Sequence, residues 1–288
     1  MANPHPNFAR RGLLLGAAAL SACSGRPKAF GTPRTLDAAV NGAWRAPADR
    51  VRDRWRHPLE TLRFWGLKPG EAVVEFWPGA GWYTDIIAPF LAATGGRFYA
   101  ADLDPSDAEG REMVEAYRRR LHENPELYGK PQLTAFSAAS GSVAPAGSVD
   151  LALFLRNIHN WMAAGLAEKA FSDAFAALKP GGVLGVEEHR ADPAGMPDVM
   201  ASSGYVPQAY VVQLAKEAGF TLAAASEVNA NPKDTRDYPF GVWTLPPVRR
   251  SSPPGQRDDP SFDHTTYDII GESDRMTLKF VKSGLPHA

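Results

Sequence analysis

The chain has 288 residues, 44% of them hydrophobic, with 31 Lys and Arg against 32 Asp and Glu, a formal net charge of −1 and 1 cysteine. That apolar content supports one sizeable core and excludes a disordered chain. The balanced charge excludes a broad nucleic-acid footprint, and a lone thiol excludes an intrachain disulfide or a multi-cysteine metal site.

At the front, Arg10-Arg11 precede a short apolar run over 12–20 that ends at Ser21-Ala22-Cys23. A charged start, an apolar centre and small residues before a cleavage point form a signal peptide pattern over residues 1–22. The run is shorter than the roughly 20 apolar residues that span a bilayer, and the paired arginines indicate twin-arginine export. Leu20-Ser21-Ala22-Cys23 resembles the lipobox of bacterial lipoproteins, which implies an exported, periplasmic protein held to a membrane by a lipid on Cys23. Residues 23–54 then read as the lipidated N-terminus and a tether, and 55–288 as one α/β domain.

Within that domain a helix is expected over 59–65. The stretch from Val73 to Tyr83 follows, as a buried strand, a tight Gly79-Ala80-Gly81 turn and the start of a helix over 84–93. Glycines in such a turn let the backbone approach a ligand closely, and the helix start aims unpaired amides at the same point. Further strands are expected over 97–101 (ending at Asp102), 132–136, 149–155, 183–186, 220–228 and 274–282. Helices over 107–122, 166–178 and 207–218 separate them. Strand–helix alternation with short links predicts a parallel sheet with helices on its faces. A proline-rich insertion over 229–271 interrupts the pattern, and its Tyr238, Phe240, Trp243 and Tyr267 suit a packed lid.

Glu75 four residues before Gly79-Ala80-Gly81 resembles the first motif of class I S-adenosylmethionine-dependent methyltransferases, with Pro78 standing where the first glycine of that loop lies. Further matching pieces are Arg156-Asn157-Ile158-His159-Asn160-Trp161, Leu178-Lys179-Pro180-Gly181-Gly182, Glu188-His189-Arg190 and the block from Gly271 to Leu278. Together they cover roughly residues 55–283 and are similar to an exported predicted-methyltransferase family of bacteria. The resemblance implies a Rossmann-like, mostly parallel seven-stranded sheet with an antiparallel last strand. It also implies S-adenosylmethionine as cofactor, at Glu75, Pro78, Gly79, Gly81, Trp82, Asp102, Ser137 and Asn157. In the family's fold an acid at Asp102 (Asp104 behind it) holds the ribose hydroxyls. Ser137 stands where an acid often contacts adenine.

Chemistry is expected where strand ends meet, outside the carboxyl edge of the sheet. His159, Asn160 and His189 are the candidate catalytic residues, because methyl transfer to oxygen or nitrogen needs a base that titrates near working pH. His159, His189 and Glu188 also allow a divalent metal, although no tight ligand spacing marks a metal site. Glu272, Asp274 and Arg275 are expected at the same edge, paired as Glu272–Arg190 or Asp274–Arg156. The expected activity is methyl transfer to a small-molecule acceptor. The alternative is a non-catalytic or repurposed ligand-binding lipoprotein of the cell envelope on the same fold, since the cofactor is made in the cytoplasm. A metal-dependent hydrolase stands third.

Overall fold

A computed structural model describes residues 31–104, 110–195 and 198–283. The leader and Cys23 therefore lie outside the described residues. Seven strands form one sheet: β1 (Ala72–Phe76), β2 (Arg97–Asp102), β3 (Gln132–Ala135), β4 (Val149–Leu155), β5 (Leu178–His189), β6 (Phe220–Ser226) and β7 (Arg275–Lys282). Their spatial order is β3-β2-β1-β4-β5-β7-β6. Only β7 opposes its neighbours, pairing antiparallel with β5 and β6. The mostly parallel seven-stranded sheet expected from the sequence is therefore present.

Strand alternation sorts the core into two layers, since successive side chains point to opposite faces. Val74, Phe76, Ala152, Phe154, Leu184 and Val186 face one layer. Val73, Leu151, Leu153 and Leu155 face the other. The first layer is covered by α8 (Ile158–Ala164), α9 (Ala167–Ala177) and α10 (Gln208–Glu217). The second is covered by α1 (Leu36–Val40), α4 (Pro58–Trp65), α5 (Thr84–Thr94), α6 (Arg111–Glu123) and α7 (Pro125–Tyr128), with α2 (Pro47–Arg50) and α3 (Asp53–Arg56) between α1 and α4. The indole of Trp65 lies flat against Gly185, where a Cβ would sit 2.6 Å from the ring, and its Nε1 donates to the Leu278 carbonyl at 2.9 Å. No helix among the described residues is long and apolar enough to cross a membrane.

One expectation needs correction. Residues 36–54 are not a tether: Leu36, Ala39 and Val40 are buried, and Trp44 Nε1 donates to the Asp85 carbonyl at 2.8 Å. Arg45 is buried too, donating to both oxygens of Asp53 at 2.7 Å. Small apolar residues dispersed among prolines and arginines gave no periodic run, so the packing was hidden. The insertion over 229–271 carries little regular structure, as expected, apart from a 3₁₀ turn (Gly241–Thr244) and α11 (Thr265–Ile270).

The sheet has its switch point between β1 and β4. From β1 the chain crosses to β2 on one side, while β4 leads to β5 on the other. The crevice outside the carboxyl ends at such a point is the ligand position of open α/β sheets. Register puts the start of β7 at that edge, with His189 opposite Arg275 and Glu187 opposite Thr277.

Candidate active site at the carboxyl edge

The turn after β1 is tight because three residues take the left-handed conformation: Trp77 at φ +46°, Gly79 at +58° and Gly81 at +82°. At the glycines this is free of steric cost, and at Trp77 it costs about 1 kcal/mol. The departure from a glycine-rich loop thus falls on Trp77 and not on Pro78, whose ring restricts φ to negative values. The strain at Trp77 is held by its surroundings. Its amide donates to the Ala101 carbonyl at 2.8 Å, and its indole Nε1 donates to the Phe136 carbonyl at 2.8 Å. The ring packs edge-to-face on Phe136 and Trp161. Asn157 braces the turn from the β4 side, donating to the carbonyls of Phe76 at 3.2 Å and Trp77 at 3.0 Å.

Trp82 is not a pocket wall. It is 8% exposed, its Nε1 donates to the Asp49 carbonyl at 3.1 Å, and the guanidinium groups of Arg45 and Arg56 lie over its ring. The folded N-terminal segment, missed in the sequence, is what covers it. Glu75 is likewise engaged inside the protein. It accepts from Thr84 Oγ1 at 2.7 Å, and Tyr117 Oη sits 3.0 Å from the same hydroxyl. With Thr84 donating to the carboxylate, Tyr117 is the donor in the second bond. Burial pushes the Glu75 carboxyl up to about 7, against the pull of the Thr84 bond.

Asp102 differs. It is 2% exposed at the end of β2; Oδ1 accepts from the Leu103 amide at 2.8 Å, while Oδ2 is buried with no partner among the described residues. Burial raises this carboxyl to about 6. A buried carboxylate oxygen without a donor is costly, and this one has room on its lone pairs for donors from elsewhere. Ser137 stands nearby in the fold, with its hydroxyl 3.4 Å from Asp104 Oδ2.

On the β4–β5 side, Glu188 is fully buried and caps α8. Its Oε2 accepts from the amides of Ile158 at 2.6 Å and His159 at 3.4 Å, and Oε1 from its neighbour His189 at 2.8 Å. His159 Nδ1 lies 3.0 Å from Oε1. Since the carboxylate only accepts, Nδ1 is the donor and Nε2 is left for an external partner. The ring of His189 is 5.3 Å away, with its Nδ1 2.5 Å from Ser273 Oγ. Burial drives His189 well below the usual histidine range, and the charges of His159, Arg275, Arg156 and Arg56 add to that, so it is neutral. Trp243 of the insertion reaches the pair, 5.9 Å from His159. The side-chain amide of Asn160 turns to Asn157 Oδ1 at 3.5 Å. The ligand atoms of His159, Glu188 and His189 lie within 4.8 Å of one another, a metal-like cluster. Four donors already occupy the Glu188 oxygens, which fits a carboxylate–histidine dyad better than a metal ligand.

Glu187, one residue earlier, faces the opposite layer. It accepts from Tyr83 Oη and Arg156 Nη1, both at 2.8 Å, and lies 2.9 Å from Arg275 Nε. Arg275 also donates to Glu272 at 2.7 Å and to the Trp55 carbonyl. Arg52 and Arg56 bind Glu272 at 2.7 and 2.8 Å. Neither expected pair forms: Arg156 goes to Glu187, Glu272 binds Arg52, Arg56 and Arg275, and Asp274 binds Arg190 and Arg236 at 2.9 and 2.6 Å. The reason is that α3 and its N-cap bring Arg56 and Arg52 to this edge. Their spacing, Arg52 and Arg56 on one helical face, was the available signal.

No protein-family model and no curated protein matches the sequence. Solved structures do match. A SAM-dependent methyltransferase from Aquifex aeolicus superposes with a TM-score of 0.50 at 18% identity, covering 64% of this chain and 88% of that one. Phosphoethanolamine N-methyltransferase 2 of Haemonchus contortus, in complex with S-adenosyl-L-methionine, gives 0.52 at 16% identity, over 80% of this chain and 53% of that one. The [4+2]-cyclase SpnF gives 0.51 at 15%, over 79% and 80%. The chain therefore has the Rossmann-like fold of these methyltransferases. That a cyclase shares it illustrates that fold alone does not set the reaction.

Proposed function

We propose that this chain is an S-adenosylmethionine-dependent methyltransferase acting on a small-molecule acceptor. The observation that carries the proposal is the unpartnered, buried Asp102 Oδ2 beside the Gly79–Gly81 turn. A ribose diol supplies the two hydroxyl donors that such a carboxylate lacks. Asp102 would hold the ribose, the turn would admit the chain of the cofactor, and Ser137 with Asp104 would border the adenine. When bound, this cofactor supplies an electrophilic methyl group on a sulfonium.

The protein's own contribution is proton handling and orientation. His159 Nε2 takes the proton of an acceptor hydroxyl or amine, and Glu188 holds the imidazole in the tautomer that can do so. Neutral His189 and Ser273 shape the adjoining wall. Release of S-adenosylhomocysteine during incubation with hydroxyl and amine acceptors is the test. Turnover is expected with at least one class, and His159→Ala is expected to slow it about 100-fold without changing affinity for S-adenosylhomocysteine. A folded, cofactor-binding chain that releases none with any acceptor would contradict the proposal.

Trp77 in a glycine-type conformation favours a second reading, a pocket repurposed for another ligand on the same fold. Export and anchoring through Cys23 belong to the proposal as well. A Cys23→Ser chain is expected to leave the membrane fraction, as fractionation and blotting would show; unchanged membrane association would remove the lipid anchor.

A further inference from the structure

Arg52, Arg56, Arg156 and Arg275 meet only two carboxylates, Glu187 and Glu272, at 2.7–2.9 Å. Asp49, 3.8 Å from Arg52 and about a third exposed, still leaves one cation in excess. The group is not a solvated surface patch: the side chains of Arg56 and Arg275 are 6% and 1% exposed, and those of Glu187 and Glu272 are 0% and 4%. An unbalanced cation at that depth is costly unless something neutralises it.

The hydrogen bonds show where the imbalance sits. Arg275 donates through Nη1 to Glu272 and through Nη2 to the Trp55 carbonyl, with Nε paired to Glu187 by charge at 2.9 Å. Arg56 spends only Nε, on Glu272, and its guanidinium lies 4.8 Å over the Trp82 ring. Arg156 spends only Nη1, on Glu187, and lies 5.8 Å over Tyr83. Nη1 and Nη2 of Arg56, with Nε and Nη2 of Arg156, donate to no acceptor among the described residues. No carboxylate bridges the two arginines. Burial lowers Arg56 to about 9, and repulsion by Arg156 is the next contribution, ahead of the opposing attraction of Glu272. Arg156 itself is fixed in a left-handed conformation, φ +59°, two residues before the helix that carries His159.

We propose that Arg56 and Arg156 together bind an anionic group, a carboxylate or phosphate, on the methyl acceptor. The inference rests on the methyltransferase reading and narrows its substrate class to small acids bearing a hydroxyl or amine. Two guanidinium edges with free N–H pairs suit the planar oxygens of a carboxylate or the face of a phosphate. The reacting group then points at the His159–His189 side of the edge, because Arg156 lies two residues before the helix that carries His159 and its partner Glu187 lies two residues before His189.

Calorimetry with inorganic phosphate as probe tests this on the full chain, at constant ionic strength set with chloride, with and without saturating S-adenosylhomocysteine. One saturable phosphate site is expected, of similar affinity in both states. Arg156→Gln is expected to weaken it at least tenfold while leaving S-adenosylhomocysteine binding unchanged, and Arg156→Lys to restore part of the loss. A cooperative melt for each variant verifies folding. Loss of phosphate binding on adding S-adenosylhomocysteine would assign the arginines to the cofactor's own carboxylate and overturn the proposal. Absence of a saturable site in the folded wild type, or equal binding in both variants, would overturn it too. Phosphate binding by a chain that ignores S-adenosylhomocysteine would keep the anion site and remove the methyltransferase reading, so the two fail separately.

Discussion

Glu272→Gln is expected to cost the fold about 3–5 kcal/mol, the usual consequence of removing one partner from a buried ion cluster. Glu272 is 3% exposed and, among the described residues, is the only carboxylate that meets Arg52, Arg56 and Arg275 together. The amide keeps the shape and loses the charge, so three guanidinium groups face each other with only Glu187 and the partly exposed Asp49 to offset them. Those arginines hold the Glu272 carboxyl far below the ordinary carboxylate range despite its burial. A depressed carboxyl stabilises the folded state above its unfolded pKa, near 4.5, and that stability is lost as pH falls from there towards the folded value. The wild type should therefore lose stability steeply below about pH 4.5, and the variant less steeply from a lower plateau. Urea unfolding between pH 3 and pH 8 checks both, and an unchanged midpoint at pH 7 would show that the cluster contributes nothing.

Asp102→Asn is expected to act in the opposite direction on stability and to abolish useful cofactor binding. The wild-type carboxyl is raised to about 6 by burial, so the folded state holds its proton more tightly than the unfolded chain does. The resulting cost appears as pH rises from near 4 to 6 and is complete above 6. Asparagine keeps an oxygen for the Leu103 amide and removes the charge, so the variant should gain about 1–2 kcal/mol at pH 7–8 and nothing near pH 4. The same change removes the acceptor that a ribose diol needs. Two charge-assisted hydrogen bonds at about 1.5 kcal/mol each correspond to roughly a 100-fold loss of affinity. A gain in stability paired with a loss of binding marks a residue kept for a ligand; destabilisation would make Asp102 a structural cap.

Much of the sheet was legible because buried parallel strands are written as apolar runs. Val149–Leu155 is such a strand, and its limits matched. The last strand was legible from its alternation of apolar and charged residues, while its reversed sense, which brings Arg275 to the expected edge, was implied by the family resemblance alone. The N-terminal helices were not. They hold on by arginine and tryptophan contacts, such as Arg56 with Glu272, which are 216 residues apart in sequence. No local period records a contact of that kind.

The site was legible as a neighbourhood and not as a set of partners. Strand ends fixed which residues gather at the edge. Side-chain alternation, however, separated Glu187 from Glu188, giving the first to Tyr83 and the arginines and the second to His159. A helix starting at Ile158, unforeseen after a strand ending at Leu155, let Glu188 act as its cap. Turn conformation was equally hidden: only the backbone angle reveals that Trp77 holds the glycine-type position.

Calorimetric titration of S-adenosylhomocysteine into the full chain tests the central claim most directly. One saturable site of micromolar affinity, weakened about 100-fold by Asp102→Asn, is the expected result. A wild-type chain that melts cooperatively yet gives no saturable heat would contradict the methyltransferase assignment and leave the fold with another ligand.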